Sequence, residues 1–215
     1  HLQGMPIIAE NGTYVVRDGV DISSSTIDPN LTREVITGVR QLRNDGHDVG
    51  LVVATKSIAY LERGDDPFVS HVATYYHSHR IVKDLSEHTD DVIKLSIYDF
   101  REASEATYPT MQRTAPEHQV ILATPNWVDI MNPGVNKGSA VEAVQRDLGV
   151  TADQTAIFGD FLNDLEMMPM AKWSFAMANG HPNIVKASNY VAPPNTENGV
   201  ITVLAALLGT RVPIT

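Results

Sequence analysis

Apolar and polar residues follow several distinct periods along the 215-residue chain, and each period predicts an element. Pro6-Ile7-Ile8-Ala9 and Thr13-Tyr14-Val15-Val16 predict two short strands about a turn at Asn11-Gly12. Asp18-Gly19 offers a hairpin turn into a third segment, Val20-Asp21-Ile22. Leu31, Val35, Val39 and Leu42 share one helical face, so a helix is expected over Leu31–Arg43, ended by Asn44-Asp45-Gly46. The continuous apolar run Val49–Thr55 predicts a buried strand. A helical stretch is expected from Asp66 toward Arg80, a strand at Val92–Ile97, and a helix at Arg101–Thr114 with a break near Pro109. Val120–Thr124 and Val128–Met131 read as strands separated by Pro125-Asn126.

The pattern changes near residue 127, where the chain is divided. Lys137–Leu148 predicts a helix with Ala140, Val141, Val144 and Leu148 on one face, closed by Gly149. Thr151–Gln154 has the spacing of a capping box, and Thr155–Phe158 predicts a buried strand running into Gly159-Asp160. A short helix over Asn163–Ala171, a strand at Trp173–Met177, a helix start at Asn183–Ala187, a strand at Tyr190–Ala192 and a helix at Gly199–Leu208 complete the pattern. Strands alternating with helices predict a parallel α/β sheet, whose ligands sit outside the carboxyl ends of the strands, where Asp160 falls. About three strands are few for a parallel sheet buried on both faces, so the sheet is expected to lack neighbours.

Composition narrows the function classes. An apolar fraction of 43% with 20% charged residues is that of an ordinary globular protein. No apolar run approaches the roughly 18 residues that span a bilayer, and no signal peptide is visible. No membrane role is expected. The absence of cysteine excludes disulfides and thiolate metal sites and fits a cytoplasmic protein. A formal net charge of −10, without a Lys/Arg cluster interleaved with aromatics, argues against a nucleic-acid partner.

Two short segments carry candidate chemistry. In Gly159-Asp160-Phe161-Leu162-Asn163-Asp164 an apolar strand delivers a carboxylate at its end, and two more oxygen-bearing side chains follow within a turn. Carboxylate and amide oxygens suit a hard cation such as Mg²⁺, although the same residues also suit a polar turn and helix cap. Lys137 stands at a predicted helix start, where the partial positive charge favours a phosphate; a solvated surface lysine is the alternative. An anionic substrate on so acidic a chain would need both a cation and this lysine to reverse the local field. His71, His77, His79 and His88 are expected in solvated or core positions, because His77 and His79 point to different helix faces.

Jointly these motifs resemble the haloacid dehalogenase (HAD) superfamily of phosphatases, in particular the Cof-type subclass with a large α+β cap of the IIB kind. The resemblance rests on Asn136-Lys137-Gly138, Phe158 to Asp164, Ala176-Met177-Ala178-Asn179-Gly180 and Asn198-Gly199-Val200, in this order and spacing. It is close over about 126–208 and loose over about 13–125. It implies an α/β fold with a HAD-like Rossmannoid parallel-sheet core and a large α+β cap. Residues 1–12 would be a core strand and linker, 13–125 the cap, and 126–215 the C-terminal half of the core. It also implies hydrolysis of small sugar- or nucleotide-type phosphate monoesters through an aspartyl-phosphate, with a cap that closes over the site and selects the leaving group. Lys137, Asp160 and Asp164 would be catalytic, Asp160 and Asp164 would hold Mg²⁺, and Asn163, Lys137 and Asn11 would contact the phosphorylated metabolite.

Two departures matter. Phe161 stands where the family commonly has a small residue, often glycine. The opening Asp-x-Asp-x-Thr motif and the Ser/Thr motif after it are absent. Ala9–Thr13 and Thr55 could pose as degraded versions, but Ala9 offers no nucleophile. The expectation is therefore a βαβ-sized piece upstream, with His1 to Gly4 as the tail of its last helix and turn or, alternatively, as vector-derived residues before Met5. The chain alone would be inactive and would need that segment or a partner, such as a second copy, to cover its thin core. The rival reading is a non-catalytic truncated or pseudo-enzyme HAD protein that binds phosphorylated ligands or a partner.

Overall fold

A computed structural model describes residues 3–210, so part of the expected helix tail at residues 1–4 lies outside the described residues. The chain divides into two units, residues 1–23 with 136–215 and residues 24–135. The first unit begins with β1 (Ile7–Ala9), β2 (Tyr14–Arg17) and β3 (Val20–Ser24), a three-stranded sheet in that order. β1 and β2 are antiparallel, with Ile8 opposite Val15. The turn into β3 places both Asp18 (φ 51°) and Gly19 (φ 79°) in the left-handed region, the conformation an Asp-Gly hairpin supplies.

The second unit contains α1 (Pro29–Asn44), β4 (Val49–Thr55), β5 (Ala59–Leu61), α2 (Asp66–Tyr75), β6 (His79–Ile81), β7 (Val92–Asp99), α3 (Thr107–Thr114), β8 (Gln119–Leu122) and β9 (Trp127–Met131). Its strands form one six-stranded sheet in the order β6-β5-β4-β7-β9-β8, antiparallel except for the β5–β6 pair. The strand period of two sorts the residues between the faces. Val49, Leu51, Val53, Leu95, Ile97, Val128 and Ile130 pack with the apolar faces of α1 and α3. Val52, Tyr98 and Trp127 turn the other way and pack with Phe68 and Val72 of α2. That second face also buries Lys94, Ser96 and Asp129. They are satisfied by a chain of contacts: Ser96 Oγ donates to Asp129 Oδ1 (2.7 Å), Lys94 Nζ lies 3.6 Å from Asp129 Oδ2, and Tyr76 Oη meets Ser96 Oγ at 3.1 Å.

The structure differs from the sequence pattern in specific places. The helix from Asp66 stops at Tyr75, because His79–Ile81 pairs in parallel with Ala59–Leu61, a strand too short for its period to show. The helix expected from Arg101 starts at Thr107, which puts Pro109 in its first turn, where a missing N–H breaks nothing. The expected boundaries at 12/13 and 125/126 also move. Residues 13–23 stay in the first unit because β2 and β3 pair with β1, and β9 belongs to the second unit because it pairs with β7 and β8.

The first unit resumes with α4 (Lys137–Leu148), β10 (Ala156–Gly159), β11 (Trp173–Met177), α5 (Pro182–Ala187), β12 (Tyr190–Ala192) and α6 (Gly199–Leu208). β10, β11 and β12 form a parallel sheet in that order. One face packs Ile157 and Ala176 with Val141 of α4 and Ile184 of α5. The other packs Phe158, Phe175 and Met177 with Val200 and Val203 of α6. Covering both faces is what a parallel sheet requires. On the α6 face the cross-strand neighbours Phe158, Phe175 and Tyr190 stack in a row, with ring centroids 5.0 and 5.2 Å apart. The helix expected over Asn163–Ala171 is instead two 3-10 turns, Leu162–Asp164 and Met168–Met170, the second containing Pro169. Among the described residues β10 has a neighbour on one edge only, and Ile7, Ile8, Val191 and Leu204 remain exposed on this unit. No helix of the described residues is long and apolar enough to cross a membrane.

In the second unit α2 seats on the sheet by laying the buried Phe68 ring on Gly50. A Cβ at Gly50 would lie 2.4 Å from that ring. Gly50→Val is therefore expected to lower stability by about 1–3 kcal/mol through overpacking, read as a shift of the urea midpoint.

Candidate active site

The site is assembled where the first unit's strands end. β10 delivers Gly159-Asp160, β11 leads into Ala178-Asn179-Gly180, and β12 leads through two prolines to Asn195. α4 brings Lys137 to the same place. Its N-terminus is fixed by a reciprocal cap, in which Asn136 Oδ1 accepts from Ser139 N (2.9 Å) and Asn136 N donates to Ser139 Oγ (3.2 Å).

Asp164 gathers these parts. Its buried carboxylate, the side chain only 8% exposed, takes the Lys137 ammonium on Oδ1 at 2.6 Å. Oδ2 accepts the backbone N–H groups of Asp160 (3.0 Å) and Phe161 (3.4 Å). A charged acceptor with an ammonium and two amides about it satisfies the desolvation that its burial demands. Asp160 is held from two further sides. Its carbonyl accepts His181 N–H at 2.8 Å, and its Oδ2 accepts Asn195 Nδ2–H at 3.1 Å. Asn195 is itself clamped by Asn179, whose Oδ1 accepts Asn195 N–H (3.2 Å) and whose Nδ2 donates to Asn195 Oδ1 (2.9 Å).

This convergence depends on backbones passing in near contact. A Cβ at Gly138 would lie 2.3 Å from the Glu166 carbonyl oxygen, and one at Gly180 would lie 3.0 Å from that of Asp160. Only glycine lets α4 and the β11 loop close on the 160–166 segment.

The expected site residues separate accordingly. Lys137, Asp160 and Asp164 come together. Asn163 is exposed on the 3-10 turn beside Asp164. Asn11 adopts a left-handed conformation (φ 56°) in a turn whose next residue, Gly12, packs on the Asn136 backbone. Asp160, Phe161, Asn179, Gly180 and His181 line a shallow depression, whereas Asp164 does not and has both oxygens engaged. Asn195 was missed by sequence reasoning; its place just past the carboxyl end of a parallel strand was the available signal.

Among the described residues no three His, Cys, Asp or Glu side chains gather about one point. A single carboxylate at the edge of an open depression fits Mg²⁺, which keeps several waters and takes one or two carboxylates together with phosphate oxygens. Zn²⁺ would want three protein ligands. Removing the organising carboxylate should be costly. Asp164→Ala leaves the Lys137 ammonium and two amides unpaired and is expected to lower stability by about 3 kcal/mol, measured by denaturant unfolding.

A family profile described as haloacid dehalogenase-like hydrolase matches residues 1–204. The 5-amino-6-(5-phospho-D-ribitylamino)uracil phosphatase YbjI of Escherichia coli is 28% identical over 212 residues, 96% of this chain and 75% of its own length. A solved structure from Thermotoga maritima superposes with a TM-score of 0.84 at 24% identity, covering 95% of this chain and 76% of the other. Another, described as a HAD subclass IIB sugar phosphatase, gives a TM-score of 0.72 at 20% identity and covers 95% and 75%. At these identities the two structures establish the shared fold alone, a Rossmann-like core with a cap. With a profile match that runs over nearly its whole length, this chain belongs to the haloacid dehalogenase-like hydrolases.

Proposed function

We propose that this chain carries the phosphate- and metal-holding side of a phosphatase for small phosphate monoesters of sugar or nucleotide type. The carrying observation is the Lys137–Asp164 pair at the carboxyl end of β10, one turn from Asp160. The ammonium, held by Asp164 on one side, offers its remaining N–H donors to phosphate oxygens. Asp160 would hold Mg²⁺, which when bound neutralises phosphate charge, and Asp164 would act by fixing Lys137 and the loop. Asn163 and Asn11 are the proposed amide contacts to the substrate.

The nucleophile of the proposed reaction is an aspartate from outside these residues. Its carboxylate attacks phosphorus, the alcohol leaves, and water cleaves the resulting aspartyl-phosphate. Support comes from the sequence, in which no two aspartates stand two residues apart. The YbjI relative extends beyond the matched part, which is 75% of its length. The same lack of an Asp-x-Asp pair is what favours the second reading, a non-catalytic protein that binds phosphorylated ligands or a partner.

The 215-residue chain is expected to bind Mg²⁺ by calorimetry in the presence of inorganic phosphate, and not to turn over p-nitrophenyl phosphate. Joined to an upstream strand ending in Asp-x-Asp, it should hydrolyse that ester only with Mg²⁺. Asp160→Ala should then lower kcat by about 10²-fold or more. Equal turnover by the joined wild type and Asp160→Ala would sink the metal assignment. Binding without turnover in the joined protein would favour the non-catalytic reading.

A further inference from the structure

Phe161 is a large apolar side chain, 58% exposed, set directly after Asp160 in a loop of polar groups. It is not loosely placed. Its backbone N–H is bound by Asp164 Oδ2, and its ring meets His181 edge-to-face, with centroids 6.0 Å apart and planes at 84°. His181 is fixed as well. Its own N–H is bound to the Asp160 carbonyl, and its Nδ1 accepts Asn183 N–H at 3.1 Å, which leaves the neutral ring's proton on Nε2. Both rings line the depression that contains Asp160. Two rings tied through the backbone to Asp160 thus line the depression beside its carboxylate, with the Phe161 side chain largely exposed.

We propose that Phe161, backed by His181, is a specificity-determining wall that stacks a flat ring carried near the ester oxygen. On this view the enzyme favours phosphate esters whose leaving group carries a flat ring, as in the nucleotide type, over those whose leaving group carries none. The proposal rests on the phosphatase reading and deepens it by naming the leaving-group class. The remaining groups on the rim, Asp160, Asn179 and Gly180, are polar or small, so Phe161 supplies most of the apolar contact there. A rigid aromatic with two torsions loses little freedom when a ring settles on it.

Ligand-observed NMR titrations of the full chain with Mg²⁺ test this, using inorganic phosphate, ethyl phosphate and phenyl phosphate as probes. Phenyl phosphate is expected to bind about three- to tenfold more tightly than ethyl phosphate. Phe161→Ala should bring that ratio to near one, and Phe161→Tyr should keep it. Because the side chain is exposed, neither variant should lose its fold, which circular dichroism checks. A ratio near one in the wild type, or one unchanged by Phe161→Ala, overturns the stacking wall while phosphate binding itself persists. Failure of inorganic phosphate to bind overturns the phosphatase reading, and the wall with it.

Discussion

The buried carboxylate of Asp164 is the interaction on which the site depends. It lies a full turn beyond the strand that delivers Asp160, yet it holds that strand's end through two backbone N–H groups and holds α4 through Lys137. One side chain thereby couples a helix, a strand end and a 3-10 turn. Such a group is stabilising only while all its partners are present, because a charge removed from water must be matched on every side. The sequence Asp160-Phe-Leu-Asn-Asp164 is therefore a local scaffold: its last residue fixes the geometry of its first.

Around this centre the first unit relies on close backbone approach. Gly138 and Gly180 let α4 and the loop after β11 press against the 160–166 segment, and the Asn179–Asn195 clamp then orients the Asp160 carboxylate. The apolar layers beneath are modest. Their rigidity comes from burial of the β11 strand between α4 and α5 on one face and α6 on the other, with stacked aromatics on the α6 side. Positioning of this kind, with polar side chains fixed before any ligand arrives, is what electrostatic stabilisation of a phosphoryl group requires.

The second unit solves a different problem. Its sheet has two buried faces, one packed by α1 and α3 and the other by α2. On the latter, Lys94, Ser96 and Asp129 lie on adjacent strands and satisfy one another. Burying such a set costs more than an apolar face of equal size, so its members must be mutually satisfied to be tolerated.

By itself the sequence determined the elements with strong local signals: α1 from Leu31 to Leu42, the unbroken apolar strand β4, the start of α4 at Lys137, and the alternation that makes β10 to β12 a parallel sheet. Those signals are local, carried by side chains that a helix or strand places at fixed spacing. It also brought out Lys137, Asp160 and Asp164 as candidates, which the structure brings together. Tertiary structure alone decided what had no local signature. β5 and β6 exist because each pairs with a neighbour, α2 stops where β6 pairs, and β9 joins the second unit through β7 and β8. It alone joined Lys137 to Asp164 and Asn195 to Asp160, residues 27 and 35 apart in the chain, because strand order and crossover packing set those contacts, and no period along the sequence encodes them.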